Sequence, residues 1–411
     1  MCQHVTKATA HRKLRACRPD LGLLVAGWLA CASCLAPVPA AGSHGGAFAG
    51  PGIASLPRFD RVLLLETTSE TSANVSIGDV NADGHLDLVL AKGRHWPLLD
   101  RVLLGDGRGH FAMAYDLGDT PDRSYSGRLV DIDGDGDLDV VISNDAPDPK
   151  LVYLNDGQGR FRVGSTFGRA EWPTRNASVA DLDGDGRPDL IVANRSDSGG
   201  ANYVCLNRGN GRFDGDALAF SQEPATTITP ADFDRDGMID LAVPHRDGGQ
   251  SYVYLNGGSA TFPAARRIPF GPGDATIRMV EAADLDGDGE LDIVAIDERR
   301  GVAVYFGQKD RGFSSGFEVA GGKVTPYALA ATDLNGDGRI DIVVGHVEAA
   351  STIYFNVGSG RQYVPIQFGD AKGTVYGFAV ADLDQDGFLD IAVARSDAPN
   401  VVHFGGARQG Q

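Results

Sequence analysis

One nine-residue phrase occurs seven times in the 411 residues, at intervals of 52, 50, 51, 52, 49 and 49. It reads DVNADGHLD from Asp79, DIDGDGDLD from Asp131, DLDGDGRPD from Asp181 and DFDRDGMID from Asp232. It returns as DLDGDGELD from Asp284, DLNGDGRID from Asp333 and DLDQDGFLD from Asp382. A period near fifty restricts the chain to repeat architectures, in which each unit buries its apolar face against its neighbours.

Positions 1, 3, 5 and 9 of the phrase carry side-chain oxygens in every copy. The candidate metal ligands are Asp79, Asn81, Asp83 and Asp87, then Asp131, Asp133, Asp135 and Asp139, then Asp181, Asp183, Asp185 and Asp189. The fourth and fifth copies offer Asp232, Asp234, Asp236, Asp240, Asp284, Asp286, Asp288 and Asp292. The last two offer Asp333, Asn335, Asp337, Asp341, Asp382, Asp384, Asp386 and Asp390. Alternate oxygens with a flexible shell suit calcium, a hard cation that takes six to eight oxygen ligands. Position 7 varies from His85 to Phe388, as expected if only its carbonyl is used, and position 6 is always Gly, from Gly84 to Gly387. Only Gly turns sharply through positive φ without steric cost. Zinc or copper would want His or Cys. An EF-hand would place Glu at position 12, where this chain has apolar residues such as Leu90, Ile142 and Val192. Up to seven calcium ions are expected, with weaker sites where Asn81 and Asn335 replace Asp.

Residues 1–40 read as a secretory signal peptide: Lys7, Arg12, Lys13, Arg15 and Arg18, then apolar 21–35, then Val38-Pro39-Ala40. The expected location is therefore outside the cytoplasm, periplasmic or secreted. A lipid anchor at Cys31 or Cys34 fits less well, because neither has a leucine three residues before it. Residues 41–54 are expected to be a disordered segment, 55–406 the repeat domain and 407–411 a tail. The chain carries −18, its first 40 residues +4, and the remainder therefore −22. So acidic a surface argues against nucleic acid as a partner, and the short apolar run argues against a membrane span. Without ions, the clustered carboxylates repel. Beyond the leader only Cys205 remains, so no internal disulfide can form.

Each phrase runs into an apolar strand (LVLA, VVIS, LIVA, LAVP, IVAI, IVVG, IAVA), then a loop, a second strand and a Gly-rich hairpin. Four strands per unit make a propeller blade. The aromatic opening each fourth strand stands 19 to 22 residues before the next phrase, from Phe111 to Tyr363, and Phe59 stands 20 before the first. The last unit stops at Phe404 without a fourth strand. The expectation is an all-β, seven-bladed propeller of four-stranded blades, closed by the N-terminal strand completing the last blade, which removes exposed edges.

With the calcium phrase in this setting, residues 55–406 resemble the FG-GAP/VCBS repeat family, whose relatives include the seven-bladed head of integrin α-subunits. The resemblance implies calcium in the loop between the first and second strands of each blade, on one face of the disc. The integrin signatures are weak, with Phe404-Gly405-Gly406-Ala407 only an echo, so the single-domain bacterial VCBS type is the better parallel and integrin ligands are not carried over.

The opposite face should hold the residues five after each phrase (Lys92, Asn144, Asn194, His245, Asp297, His346, Arg395) and six before it (Ala73, Tyr125, Arg175, Thr226, Arg278, Tyr327, Tyr376). Arg94, His95, Trp96, Trp172, Arg195, Arg246 and Arg299 fall nearby. Arg forks onto carboxylates and sulfates, and aromatic rings stack on sugars. The expected function is recognition of an anionic glycan at this mouth. A second reading is a polysaccharide lyase cleaving a uronate glycan by β-elimination. Arg175, Arg278 or Arg395 would neutralise the acid, and His95, His245, His346, Tyr125, Tyr327 or Tyr376 would move the proton. A third is an adhesion module for a cell-surface protein.

Overall fold

The computed structural model describes residues 56–195, 200–310 and 312–407. Residues 1–40, expected to be a signal peptide, and the segment 41–54 lie outside the described residues. These residues form seven four-stranded antiparallel sheets, as the repeat predicts. Blade 1 consists of Ser72–Gly78, Asp87–Lys92, Leu98–Leu104 and Met113–Asp122, hydrogen-bonded in that order. Blades 2 to 6 repeat it at 124–167, 174–221, 229–275, 277–321 and 326–368. Blade 7 takes three strands from 374–404, and Arg61–Leu64 pairs with Val401–Phe404 as its fourth, with Arg61 opposite Phe404. The first strands of successive blades pack side by side in a closed cycle and surround the axis.

The second strand of each blade explains the continuous apolar runs. Asp87–Lys92, Asp139–Asn144 and Asp341–His346 are buried along their whole length, because both of their faces meet neighbouring blades. Between blades 1 and 2, Val89, Val102 and Leu117 meet Val140, Ile142 and Tyr153. Burying side chains of this size contributes roughly 1.5–3 kcal/mol each. Cys205 is buried in such a cluster, and burial pushes its thiol up to about 12.

Polar ties link the blades at both levels. Ser76, Ser178 and Thr229 hydroxyls donate to the Gly127, Ile228 and Val280 carbonyls of the next blade, at 2.6, 2.6 and 2.7 Å. Near the phrase, Asn155, Asn207, Asn256 and Asn356 each donate to the position-2 carbonyl of the preceding blade (Val80, Ile132, Leu182 and Leu285). Glycines stand at this place in blades 1, 5 and 7 (Gly105, Gly307, Gly405). Asn256 also donates to Ile239 and accepts from the Gly258 amide. Asn256→Ala should therefore destabilise the protein by about 3 kcal/mol, since buried partners are left unpaired. Chemical denaturation followed by tryptophan fluorescence measures this.

Candidate metal loops and the opposite mouth

The loops fold alike because the phrase satisfies its own backbone. The position-1 carboxylate accepts from the position-6 glycine amide in all seven copies, for example Gly186 to Asp181 at 2.8 Å and Gly338 to Asp333 at 2.7 Å. These glycines have φ between 81° and 98°. Position 4 is left-handed as well, even where it is Ala82, Arg235 or Gln385, at 58°, 58° and 59°. The spacing of oxygens gave no hint of this second turn. The position-9 aspartate is a staple. One oxygen of Asp139 accepts from Ile132 N at 3.1 Å and the other from Asn155 N at 2.8 Å, and its six counterparts do the same.

Five loops bring three carboxylates so close that one oxygen of each lies within 4.8 Å of the others: Asp131, Asp133 and Asp139, and their counterparts from Asp181, Asp232, Asp284 and Asp382. These hard oxygen donors could hold a metal ion. In the loops of Asn81 and Asn335, the amide donates to Asp83 and Asp337 at 3.0 and 3.1 Å. Burial pushes the position-9 carboxyls up, to about 6 in Asp87, Asp139 and Asp189 and to about 7 in Asp240, Asp292, Asp341 and Asp390. Arg61, from the N-terminal strand, pairs with Asp384 and stacks 3.7 Å over Phe404, so it reaches the last loop from a distant point in the chain.

At the other end of the blades, the two sequence-derived sets separate. Residues five after the phrase lie at the end of the second strand, or just beyond it for His245, and most hold the loop that follows. Asn144, Asn194, His346 and Arg395 side chains bond the Pro149, Ala201, Ala350 and Pro399 carbonyls. Buried Lys92 pairs with Glu66 and Glu70. Asp297 accepts from Thr276 and from the Arg299 and Arg300 amides. His245 donates its backbone amide to Ser251 and packs against Gly249.

Residues six before the phrase are different. In six blades the ladder between first and second strands skips this residue: Ala73, Tyr125, Arg175, Arg278, Tyr327 and Tyr376 are bulge residues. A bulge re-aims its side chain, and these side chains meet around the axis. The Arg175 guanidinium lies 4.5 Å from the Tyr125 ring, and Arg94 3.8 Å from Tyr376. Tyr376 meets Tyr327 edge-on at 4.9 Å, and Arg278 lies 3.4 Å over Tyr327 while donating to its carbonyl at 2.8 Å. Arg246 reaches the same ring at 5.9 Å. His95 hydrogen-bonds the Tyr125 hydroxyl at 3.1 Å, and burial, Arg94 and Arg175 hold its pKa below the usual value.

Charge is unbalanced here. Arg175 pairs with Asp145 at 2.6 Å, whereas Arg246 and Arg278 share the single carboxylate of Glu298. Arg94 pairs with no carboxylate among the described residues. Burial lowers Arg278 to about 10. Burial alone would raise the Tyr327 phenol, but Arg278, the bond with Tyr376, Arg246 and Arg94 together bring it below its ordinary value. Of the remaining candidates, Trp96 stands 71% exposed on the rim, Trp172 stacks flat on Tyr203 at 4.0 Å, Arg195 pairs with Asp247 at 2.7 Å, and Arg299 donates to Thr276 at 3.3 Å. No helix among the described residues is long and apolar enough to cross a membrane.

Comparison with known proteins sets this geometry in context. Compared by sequence with curated proteins, the chain matches none. Its fold is similar to that of the BP39L lectin from Burkholderia pseudomallei, at 15% identity and a TM-score of 0.64, covering 84% of this chain and 98% of the lectin. It is also similar to BBS1N, solved in complex with ARL6DN, at 12% identity and a TM-score of 0.60, covering 87% of this chain and 99% of that one. At such identities the likeness is one of fold. The FG-GAP-like repeat matches six times, over residues 79–142, 131–192, 181–243, 232–295, 284–344 and 333–393, each match running from one phrase through the next, so the chain belongs to the FG-GAP-like repeat family.

Proposed function

We propose that this chain is an exported, calcium-carrying propeller that binds an anionic glycan at the mouth opposite the metal loops. The observation that carries the reading is the charge of that mouth. Four guanidiniums (Arg94, Arg175, Arg246, Arg278) face two carboxylates (Asp145, Glu298) in a chain of strongly acidic balance. A buried cationic excess calls for an anion. The aromatic rings between the guanidiniums and the exposed Trp96 offer faces for sugar rings. The lectin neighbour supports carbohydrate recognition on this architecture. The loops would take calcium through positions 1, 3, 5 and 9, and their all-oxygen donor set favours that ion.

One observation favours the lyase as a second reading. Tyr327, with its depressed pKa, lies under Arg278 and beside Tyr376, so a phenolic base and a cation for a uronate carboxylate stand together. The protein complex of BBS1N keeps a protein partner as a third reading.

A panel of acidic and neutral polysaccharides tests the proposal. Calorimetric binding to acidic polymers, weakening as salt rises, is the expected result. Equal binding of neutral polymers, or none at all, overturns it. Growth of the ultraviolet absorbance of unsaturated uronates in the same samples would move the assignment to the lyase.

A further inference from the structure

The loop after the second strand of blade 1 carries Arg94, His95 and Trp96 in a row, and its backbone is pinned. Gly93 and Arg94 both have positive φ, 107° and 52°. A Cβ at Gly93 would meet the carbonyl oxygens of Asp122 and Trp96 at 2.5 and 2.6 Å, so only glycine fits there. The Gly93 amide donates to the Thr71 carbonyl at 2.8 Å and the Arg94 amide to the Ser124 carbonyl of blade 2 at 3.2 Å. The Trp96 amide closes the turn on the Gly93 carbonyl at 2.9 Å. Arginine seldom adopts positive φ, and strain of this kind gathers at functional sites.

What this turn presents differs from the rest of the mouth. Arg175 is paired with Asp145, and Arg246 and Arg278 with Glu298. Arg94 meets no carboxylate among the described residues; its guanidinium lies 3.8 Å from the Tyr376 ring of blade 7 and 5.7 Å from the Tyr125 ring of blade 2. It is half-buried, whereas Arg278 is only 6% exposed, so Arg94 stands nearer to solvent. His95 is exposed and bonds the Tyr125 hydroxyl, and its lowered pKa keeps it a neutral donor and acceptor near pH 7. The Trp96 indole is bare, whereas that of Trp172 is covered by Tyr203. A planar carboxylate matches the guanidinium fork, and an indole face suits the apolar face of a sugar ring.

We infer that this turn is a subsite for one uronate residue at the rim: its carboxylate pairs with Arg94, its ring lies on Trp96 and one of its hydroxyls bonds His95. Arg94 and Trp96 are two residues apart in one pinned turn, so the charge and the ring face they bind belong to a single sugar residue, which is the build of a uronate. The subsite rests on the anionic-glycan reading and gives it a direction, with the glycan held at the rim in blade 1 and running inward toward Arg278.

Polygalacturonate is the probe. Arg94→Gln should lower its affinity roughly tenfold, the size of one charge-assisted contact, with little change in melting temperature because no carboxylate is stranded. Trp96→Ala should lower it roughly fivefold as the ring loses its platform. Bound polymer should quench tryptophan emission in the wild type but not in Trp96→Phe, a signal that a merely structural role of this residue would not produce. Reducing the carboxyl groups of the polymer should cost the wild type more affinity than it costs Arg94→Gln. Equal costs, unchanged affinity in either Arg94→Gln or Trp96→Ala, quenching that persists in Trp96→Phe, or wild-type binding of sulfated polymers but not of polygalacturonate overturns the subsite alone. A wild type that binds no acidic polymer overturns the anionic-glycan reading with it.

Discussion

Chelation should lower the melting temperature of the purified protein by on the order of 20 °C, and added calcium should restore it. Five loops present three mutually close carboxylates each. One ligand at a hundredfold excess over its dissociation constant adds about 2.7 kcal/mol, so five would add about 13 kcal/mol to a fold of this size. Titration should show two classes of site, with the loops of Asn81 and Asn335 weaker for want of one charge. Seven equal sites would overturn the two classes, and an unchanged melt would remove the ions from the account of stability.

The effect should depend on pH with a definite sign. The position-9 carboxyls stand above their ordinary value of 3.8, at about 6 to 7. In the ion-free protein their contribution is complete below about pH 4 and is lost as pH rises through that window. Calcium needs the ionised form, so its stabilisation grows over the same range. The gap between chelated and calcium-loaded melts should widen from about pH 5 to about pH 8. A gap that narrows would show that these groups are ionised in the ion-free fold.

The second large effect is expected at Arg278. Arg278→Met should weaken binding of an acidic glycan by about 2–3 kcal/mol, or roughly fifty-fold, as one charge-assisted contact is lost. Glu298 keeps Arg246 as its partner, so no carboxylate is stranded. Arg278→Lys should rescue only part of the loss, because an ammonium cannot stack flat on Tyr327 while donating to its carbonyl. A spectroscopic tyrosine titration separates this from a fold effect. Loss of the nearest cation should move the Tyr327 phenol upward in Arg278→Met. Full binding by Arg278→Met would place recognition elsewhere.

The lining of the mouth was only half legible. Position five after the phrase and position six before it are both polar in most blades, and both belong to the same end of the blade. Sequence treats them alike. In the structure, His346 and Arg395 hold their own loops through Ala350 and Pro399, whereas Tyr327 and Arg278 come together around the axis. What separates them is a β-bulge, which depends on the pairing register of two strands and leaves no mark in composition. The Asn256 tie has the same character, because a lone Asn before a Gly-rich turn shows its partner in the previous blade only once the blades are stacked.

The order of residues along the chain was enough to determine the propeller, its seven blades and the oxygen-lined loops. Those follow from local periodicity: a turn that needs Gly, alternating oxygens and a strand buried on both faces recur about every fifty residues. Tertiary structure alone decided which guanidiniums share a carboxylate and which rings they stack on. These depend on contacts between residues on different strands and blades, 20 positions apart for Arg278 and Glu298 and 52 for Arg246 and Glu298, which only the stacked sheets bring together.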